Sequence, residues 1–134
     1  MKNLKTVLVT GSSGYVASDL VPRLKKETKV FGVDKSSSKH NDLEADIKST
    51  EFKNRMDQFN DEEIVVVNLA AARFDFGATA EDYFRLNVEC HVKFLDSLSS
   101  QNIKKIVHVS SVAAIDGRSI SFSKDLNCDD AYRS

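Results

Sequence analysis

The chain has 134 residues, 41% of them hydrophobic and 29% charged, with a formal net charge of −1. That is room for one domain with its own core, and the composition is that of an ordinary globular protein rather than a disordered one. The balanced charge excludes a general electrostatic pull toward nucleic acid or an anionic lipid surface. The apolar runs are too short to cross a membrane, and the N-terminus has no signal-peptide pattern. Cys90 and Cys128 have neither metal-ligand spacing nor a disulfide framework. Two free thiols in a reducing cytoplasm are therefore expected, with no metal, nucleic acid or membrane as partner.

In chain order, Thr6 to Thr10 (TVLVT) reads as a strand and residues 14–26 as a helix with Val16, Leu20, Val21 and Leu24 on its apolar face. Pro22 lies inside that helix and removes one ladder bond, so a local bend is expected there. Lys29 to Asp34 (KVFGVD) is a second strand, interrupted by Gly32, and Leu43 to Ile47 (LEADI) a weaker third. Residues 50–59 form a short helix through Phe52, Met56 and Phe59. Glu63 to Asn68 (EIVVVN) is a strand. Residues 79–99 form a helix with a broad apolar stripe from Tyr83 to Leu98 that includes Val92 and Leu95. Lys105 to Ser110 (KIVHVS) closes the series. The strands at 6–10, 63–68 and 105–110 are short, β-branched and almost continuously apolar, as parallel strands covered on both faces are. Strands alternating with helices give an α/β fold, a Rossmann-type doubly wound parallel sheet of order 3-2-1-4-5, cut before its last strands.

The turn from the first strand into the first helix reads TGSSGYVA. Backbone N–H groups and the positive end of a helix meet an anion at such a turn. Gly11 suits the tight turn, Gly14 allows close approach of a pyrophosphate, and Ala17 falls where helix and sheet pack closest. The spacing is G-x-x-G-x-x-A, not the general dinucleotide fingerprint, and the absence of a following Gly-Lys-Ser/Thr argues against a P-loop NTPase. A plain strand–helix turn would also fit the glycines alone. Asp34 tips the balance: it ends the second strand 23 residues after Gly11, where a carboxylate accepts from both hydroxyls of an adenosine ribose. A 2′-phosphate about 4 Å away would meet a repulsion of about 4 kcal/mol per charge pair at an effective dielectric near 20. NAD is thus expected over NADP, although Lys35 and Ser36 to Ser38 soften the discrimination.

These residues resemble the extended short-chain dehydrogenase/reductase superfamily, in its NAD-dependent epimerase/dehydratase branch. TGSSGYVA resembles the family's TGxxGxxG, with Ala17 for the last glycine. VFGVD resembles its second strand and ribose-binding acid. Asp46-Ile47 is similar to the acid–aliphatic pair whose carboxylate meets the adenine amine. NLAA, Asn68 to Ala71, resembles HLAA, with Asn68 for the histidine. RLNVEC carries Asn87 in the asparagine position of the family's N-V motif. VHVSSVAAIDG resembles the fifth strand and the serine after it, with Asp116 where the family has tyrosine, and AYRS resembles the start of Y-x-x-x-K. The resemblance implies Ser111 and Tyr132 as catalytic residues. It also implies Gly11, Ser13, Gly14, Tyr15, Val16, Asp34, Lys35, Asp46, Ile47, Leu69, Ala70, Ala71 and Asn87 at the cofactor. Asp46 is also readable as a helix N-terminal acid and Asn87 as a surface polar residue. His108 is expected to be a satisfied core histidine, His40 and His91 surface residues, and Arg73, Phe74 and Phe76 a hydrophobic loop rather than a substrate contact.

The chemistry this implies is hydride transfer between a substrate carbon and nicotinamide, with the tyrosine as acid/base and the serine holding the substrate oxygen. A free tyrosine has a pKa of about 10, so basic action at neutral pH needs a shift of about three units. In the family, the lysine four residues after the tyrosine supplies much of it, and that position lies two places past Ser134. Residues 1–134 are thus expected to be the NAD(P)-binding Rossmann portion of a longer enzyme acting on a small molecule, a nucleotide sugar. The substrate domain is missing, so the portion is expected to be inactive alone and open to self-association as a homodimer. Three alternatives stay open. One is a non-catalytic dinucleotide-binding module. Another is an NADP-dependent carbonyl or hydroxysteroid-type reductase. The third is a flavodoxin-like or receiver-type fold.

Overall fold

The computed structural model describes residues 5–71 and 79–110. Five parallel strands form one sheet: β1 (Lys5–Thr10), β2 (Lys29–Asp34), β3 (Leu43–Glu44), β4 (Glu63–Asn68) and β5 (Asn102–His108). Their order is β3-β2-β1-β4-β5, the doubly wound arrangement expected from the sequence. The crossovers carry α1 (Tyr15–Leu24), α2 (Thr50–Met56) with a 3₁₀ turn at Asp57–Phe59, and α3 (Ala80–Phe84). A π-helical segment (Arg85–Glu89) joins α3 directly to α4 (Cys90–Ser97).

Strand side chains alternate between the two faces, and here both faces are apolar. Leu8, Phe31, Val33, Ile64 and Val66 pack with Phe52 and Met56 of α2 and with Phe94 and Leu98 in and after α4. Val7, Val9, Val30 and Val67 face the other way, against Ala17 and Val21 of α1. This explains why the central strands read as unbroken apolar runs.

Several boundaries and faces differ from expectation. On α1 the buried stripe is Ala17 and Val21, flanked by the partly buried Leu20 and Leu24, while Val16 is 53% exposed. The interior thus follows the 17, 20, 21, 24 spacing, and Val16 falls one residue outside it. The helix runs through Pro22. The third strand pairs with β2 only at Leu43 and Glu44. Ala45 adds one more bond to the Asp34 carbonyl before the chain turns away. Val92 and Leu95 are exposed, since Phe94 and Leu98 take the inward positions. The fifth strand begins earlier than expected, at Asn102, and is largely exposed. It lies at the edge of the described sheet with only β4 beside it, and a bulge places Lys104 opposite no residue of β4. Gly32 is not a flaw in β2: a Cβ there would sit 2.1 Å from the His40 carbonyl oxygen.

Candidate functional site

Because the strands are parallel, their carboxyl ends share one edge, and the turn between β1 and α1 crosses it. Gly11 makes that turn with φ of 69°, and a Cβ on it would lie 2.8 Å from the Ala70 nitrogen and the Leu69 carbonyl carbon. Positive φ and the close approach of β4's continuation both require glycine. The Gly14 N–H donates to the Gly11 carbonyl at 3.0 Å. Gly14 is also the N-cap of α1, so no side chain caps the first-turn N–H groups, and that turn carries no acidic residue. Uncapped donors at the positive end of a ten-residue helix are chemically suited to receive an anion.

Between this turn and the ends of β2, β3 and β4 lies a cleft of about 190 Å³. Gly11 and Gly14 form one wall, Asp34 and Lys35 the next. Ala45, Asp46 and Ile47 follow from the end of β3, then Leu69 to Ala71 from the end of β4, and Cys90 and His91 from α4. Ligand pockets usually hold about 300 Å³ or more, so the volume suits one part of a dinucleotide rather than the whole.

The Asp34 carboxylate is held by donors on both oxygens. Oδ2 accepts from the Ser13 N–H at 3.1 Å and from the Ser13 hydroxyl at 2.6 Å, and Oδ1 accepts from the Ser36 N–H at 3.0 Å. Asp46 is not the cap of α2. That role belongs to Ser49, whose hydroxyl accepts from the Phe52 N–H. Asp46 instead accepts from the Lys48 N–H at 3.0 Å in a tight turn at the cleft wall.

Asn68 is buried at the end of β4 and ties three strands together. The Thr10 hydroxyl of β1 donates to its carbonyl oxygen, which turns its amide nitrogen toward His108 of β5. That amide then donates to His108 Nδ1 at 3.0 Å, so the neutral ring carries its proton on Nε2. Burial first, and then the neighbouring His91, hold the His108 imidazole below its ordinary 6.5. The two rings stand edge to face, 5.4 Å apart. His91 Nδ1 lies 2.6 Å from the Asn87 carbonyl oxygen and donates to it. Asn87 itself sits buried in the π-helical segment, a distortion that recurs at functional sites.

Of the residues singled out from sequence, Gly11, Gly14, Asp34, Lys35, Asp46, Ile47, Leu69, Ala70 and Ala71 line this one cleft. Ser13 does not line it but holds Asp34. Tyr15 and Val16 are exposed on the first turn of α1, at 94% and 53%. Asn87 does not line the cleft, but its carbonyl bonds His91, which does. Ser111 and Tyr132 lie outside the described residues, as do Arg73, Phe74, Phe76 and Cys128. Sequence reasoning missed Val33, Ala45, Cys90 and His91. It also placed the three histidines differently: His91 is half-buried at the cleft, and His108 lies on the edge strand β5, its residue largely exposed while Asn68 and His91 cover part of its ring. His40 is half-buried over Gly32. The signal for Cys90 and His91 was available in their place just after Asn87. Among the described residues no group of three His, Cys, Asp or Glu side chains is placed to hold a metal, and no helix is long and apolar enough to cross a membrane.

Residues 7–130 match the model of the NAD dependent epimerase/dehydratase family. The chain belongs to this family. No curated protein sequence matches it. Among solved structures it is similar to a short-chain dehydrogenase/reductase superfamily protein from Agrobacterium tumefaciens with bound NAD. The identity is 22% and the TM-score 0.71, over 92% of this chain and 38% of that one. It is also similar to the UDP-N-acetylglucosamine 4-epimerase of Bacillus cereus, at 26% identity and TM-score 0.67, over 91% and 46%. The UDP-glucuronic acid 4-epimerase of the same organism, in complex with NAD, gives 22% and 0.70, over 91% and 44%. The chain therefore spans less than half the length of these structures. In epimerase/dehydratase terms, what is described is the part of the sheet that carries the glycine turn and the ends of β2, β3 and β4.

Proposed function

We propose that this chain is the cofactor-binding portion of an NAD-dependent epimerase/dehydratase whose substrate is a nucleotide sugar. The observation that carries the reading is the facing of the glycine turn and Asp34 across one cleft. The donors at Gly14 and the first turn of α1 would hold the pyrophosphate, with Tyr15 and Val16 contributing backbone N–H groups. Asp34 and Lys35 would meet the adenosine ribose, Asp46 and Ile47 the adenine. Leu69 to Ala71 and Asn87 would line the cofactor from β4 and the segment beyond it. NAD held there would supply a hydride acceptor and donor for a substrate carbon. Ser111 would hold the reacting substrate oxygen, and the Tyr132 hydroxyl would take and return its proton.

Residues 1–134 act in this reading as one NAD(P)-binding domain, catalytically inactive by itself, in a reducing cytoplasm where Cys90 stays a free thiol. The nucleotide-sugar epimerases among the similar structures support the substrate class. The test is a calorimetric titration of the chain with NAD and NADP. NAD is expected to bind at least about tenfold more tightly, because a 2′-phosphate would face the Asp34 carboxylate. Asp34→Ala is expected to weaken NAD and to narrow the gap. Equal binding of the two cofactors by the unaltered chain, or no binding of either, overturns the reading.

A further inference from the structure

A single line of hydrogen bonds runs from the edge strand to the wall of the cleft. His108 of β5 accepts through Nδ1 from the Asn68 amide, and the Asn68 oxygen accepts from the Thr10 hydroxyl of β1. Thr10 Oγ1 in turn accepts from the Ala70 N–H at 3.3 Å. Ala70 lines the cleft, and its nitrogen lies against Gly11 of the glycine turn. Each member has its donor or acceptor role fixed by the one before it. Thr10 and Asn68 are only 0% and 3% exposed, so water does not replace a lost partner there.

A proton on His108 reverses the first link. The imidazolium donates from both nitrogens, and its Nδ1–H meets the N–H of the Asn68 amide donor to donor. Turning the amide presents Oδ1 to the ring and aims the Asn68 N–H at Thr10 Oγ1. The Thr10 hydroxyl must then accept from Asn68 and send its own proton elsewhere. Either the bond from Ala70 is lost, or a buried O–H goes unpaired.

We propose that His108 is a positioning residue for the ligand of the cleft: through Asn68 and Thr10, its proton decides whether Ala70 is held at the cleft wall. The groups facing the His108 ring are Asn68 from β4, which is neutral, and His91 from α4, which is titratable and stands edge to face at 5.4 Å. Burial first, and then His91, hold the imidazole below its ordinary 6.5, so the wall is secured at neutral pH and released in mild acid. The ligand readout rests on the cofactor reading above.

The experiment follows the Ala70 amide and the His108 ring by NMR from about pH 8 to about pH 5, with calorimetric NAD titrations at the same pH values. The Ala70 shift is expected to move with the His108 midpoint. NAD is expected to bind about three- to tenfold more weakly below that midpoint, the worth of one hydrogen bond. By linkage, bound NAD makes His108 harder to protonate by the same factor. His108→Gln keeps an acceptor for Asn68 but takes no proton, and both pH responses are expected to vanish in it. In Thr10→Val, His108 still titrates and Ala70 no longer follows. An Ala70 amide that stays still while His108 titrates, or pH responses that persist in His108→Gln, overturns the relay and leaves the cofactor reading standing. NAD affinity that ignores the His108 proton overturns the positioning role. Absence of NAD binding at neutral pH overturns the cofactor reading, and the Ala70 titration still decides the relay.

Discussion

Gly32 sits in the middle of β2, a place where glycine normally weakens a strand by giving up side-chain packing. The reason it is there is the loop after β2. That loop folds back over the strand, its His40 carbonyl passing where a Cβ would be, with the Ser12 side chain 3.0 Å away on the same spot. Asp42 then fixes the crossing by accepting from the Gly32 N–H at 2.8 Å. Gly32→Ala is therefore expected to destabilise the fold by about 1–3 kcal/mol, the usual cost of overpacking, as read from urea unfolding midpoints. An unchanged midpoint would mean that the loop yields freely and that glycine is not required. Gly11 differs in that both its φ of 69° and its contact with Leu69 and Ala70 demand glycine. Its replacement by alanine is expected to cost about 1–3 kcal/mol from the backbone conformation alone. It should also push the end of β4 out of the cleft. The measurement is a paired one, unfolding midpoint and NAD affinity, and both should fall. Full NAD affinity in a folded variant would contradict the placement of the cleft.

At the scale of elements, β1, β2 and β4 were legible because each is buried on both faces and writes that burial as a continuous apolar run. The edges were harder to read. β3 keeps only two paired residues, and β5 combines the composition of a central strand with the exposure of an edge strand. Sequence pattern reports what a strand is built for, not what stands beside it. The glycine turn and Asp34 were legible because backbone conformation and charge leave strong residue-level marks. His91 was not, since a half-buried histidine on a helix has no distinctive spacing. The cross-strand bonds at Asn68 link such elements and give a pH dependence. His108 is held below its ordinary 6.5, by burial first and His91 second. As pH falls, the unfolded chain binds that proton before the folded one does. The contribution is thus fully present above the unfolded value and is lost as pH falls through the folded one. Urea midpoints are expected to drop between neutral and mildly acidic pH, and the drop should shrink in His108→Gln. A profile unchanged by that substitution would assign the drop to other groups.

For the whole molecule, the two ends of the sheet do different work. At the amino end Glu62 accepts from Thr6 and pairs with Lys29 at 2.6 Å, and Lys29 lies over the Phe59 ring, so β1, β2 and the turn before β4 are clamped together. The carboxyl end is left to glycine backbone, Asp34 and the cleft. The flank of the sheet is different again. Ile106 and Val107 of β5 point to opposite faces and are 45% and 42% exposed, and Val109 just beyond is 47% exposed. An edge strand with apolar residues on both faces is a pairing surface, and a net charge of −1 gives little repulsion between copies. The chain is therefore expected to self-associate, with its apparent mass in sedimentation rising with concentration. Ile106→Lys should restore a monomer by placing charge on the edge. Leu95→Glu, on the exposed side of α4, separates the two possible surfaces. If Leu95→Glu alone abolishes association, the helix face carries it. A chain that stays monomeric at high concentration, with β5 unaltered, would show that this edge is covered within a single molecule.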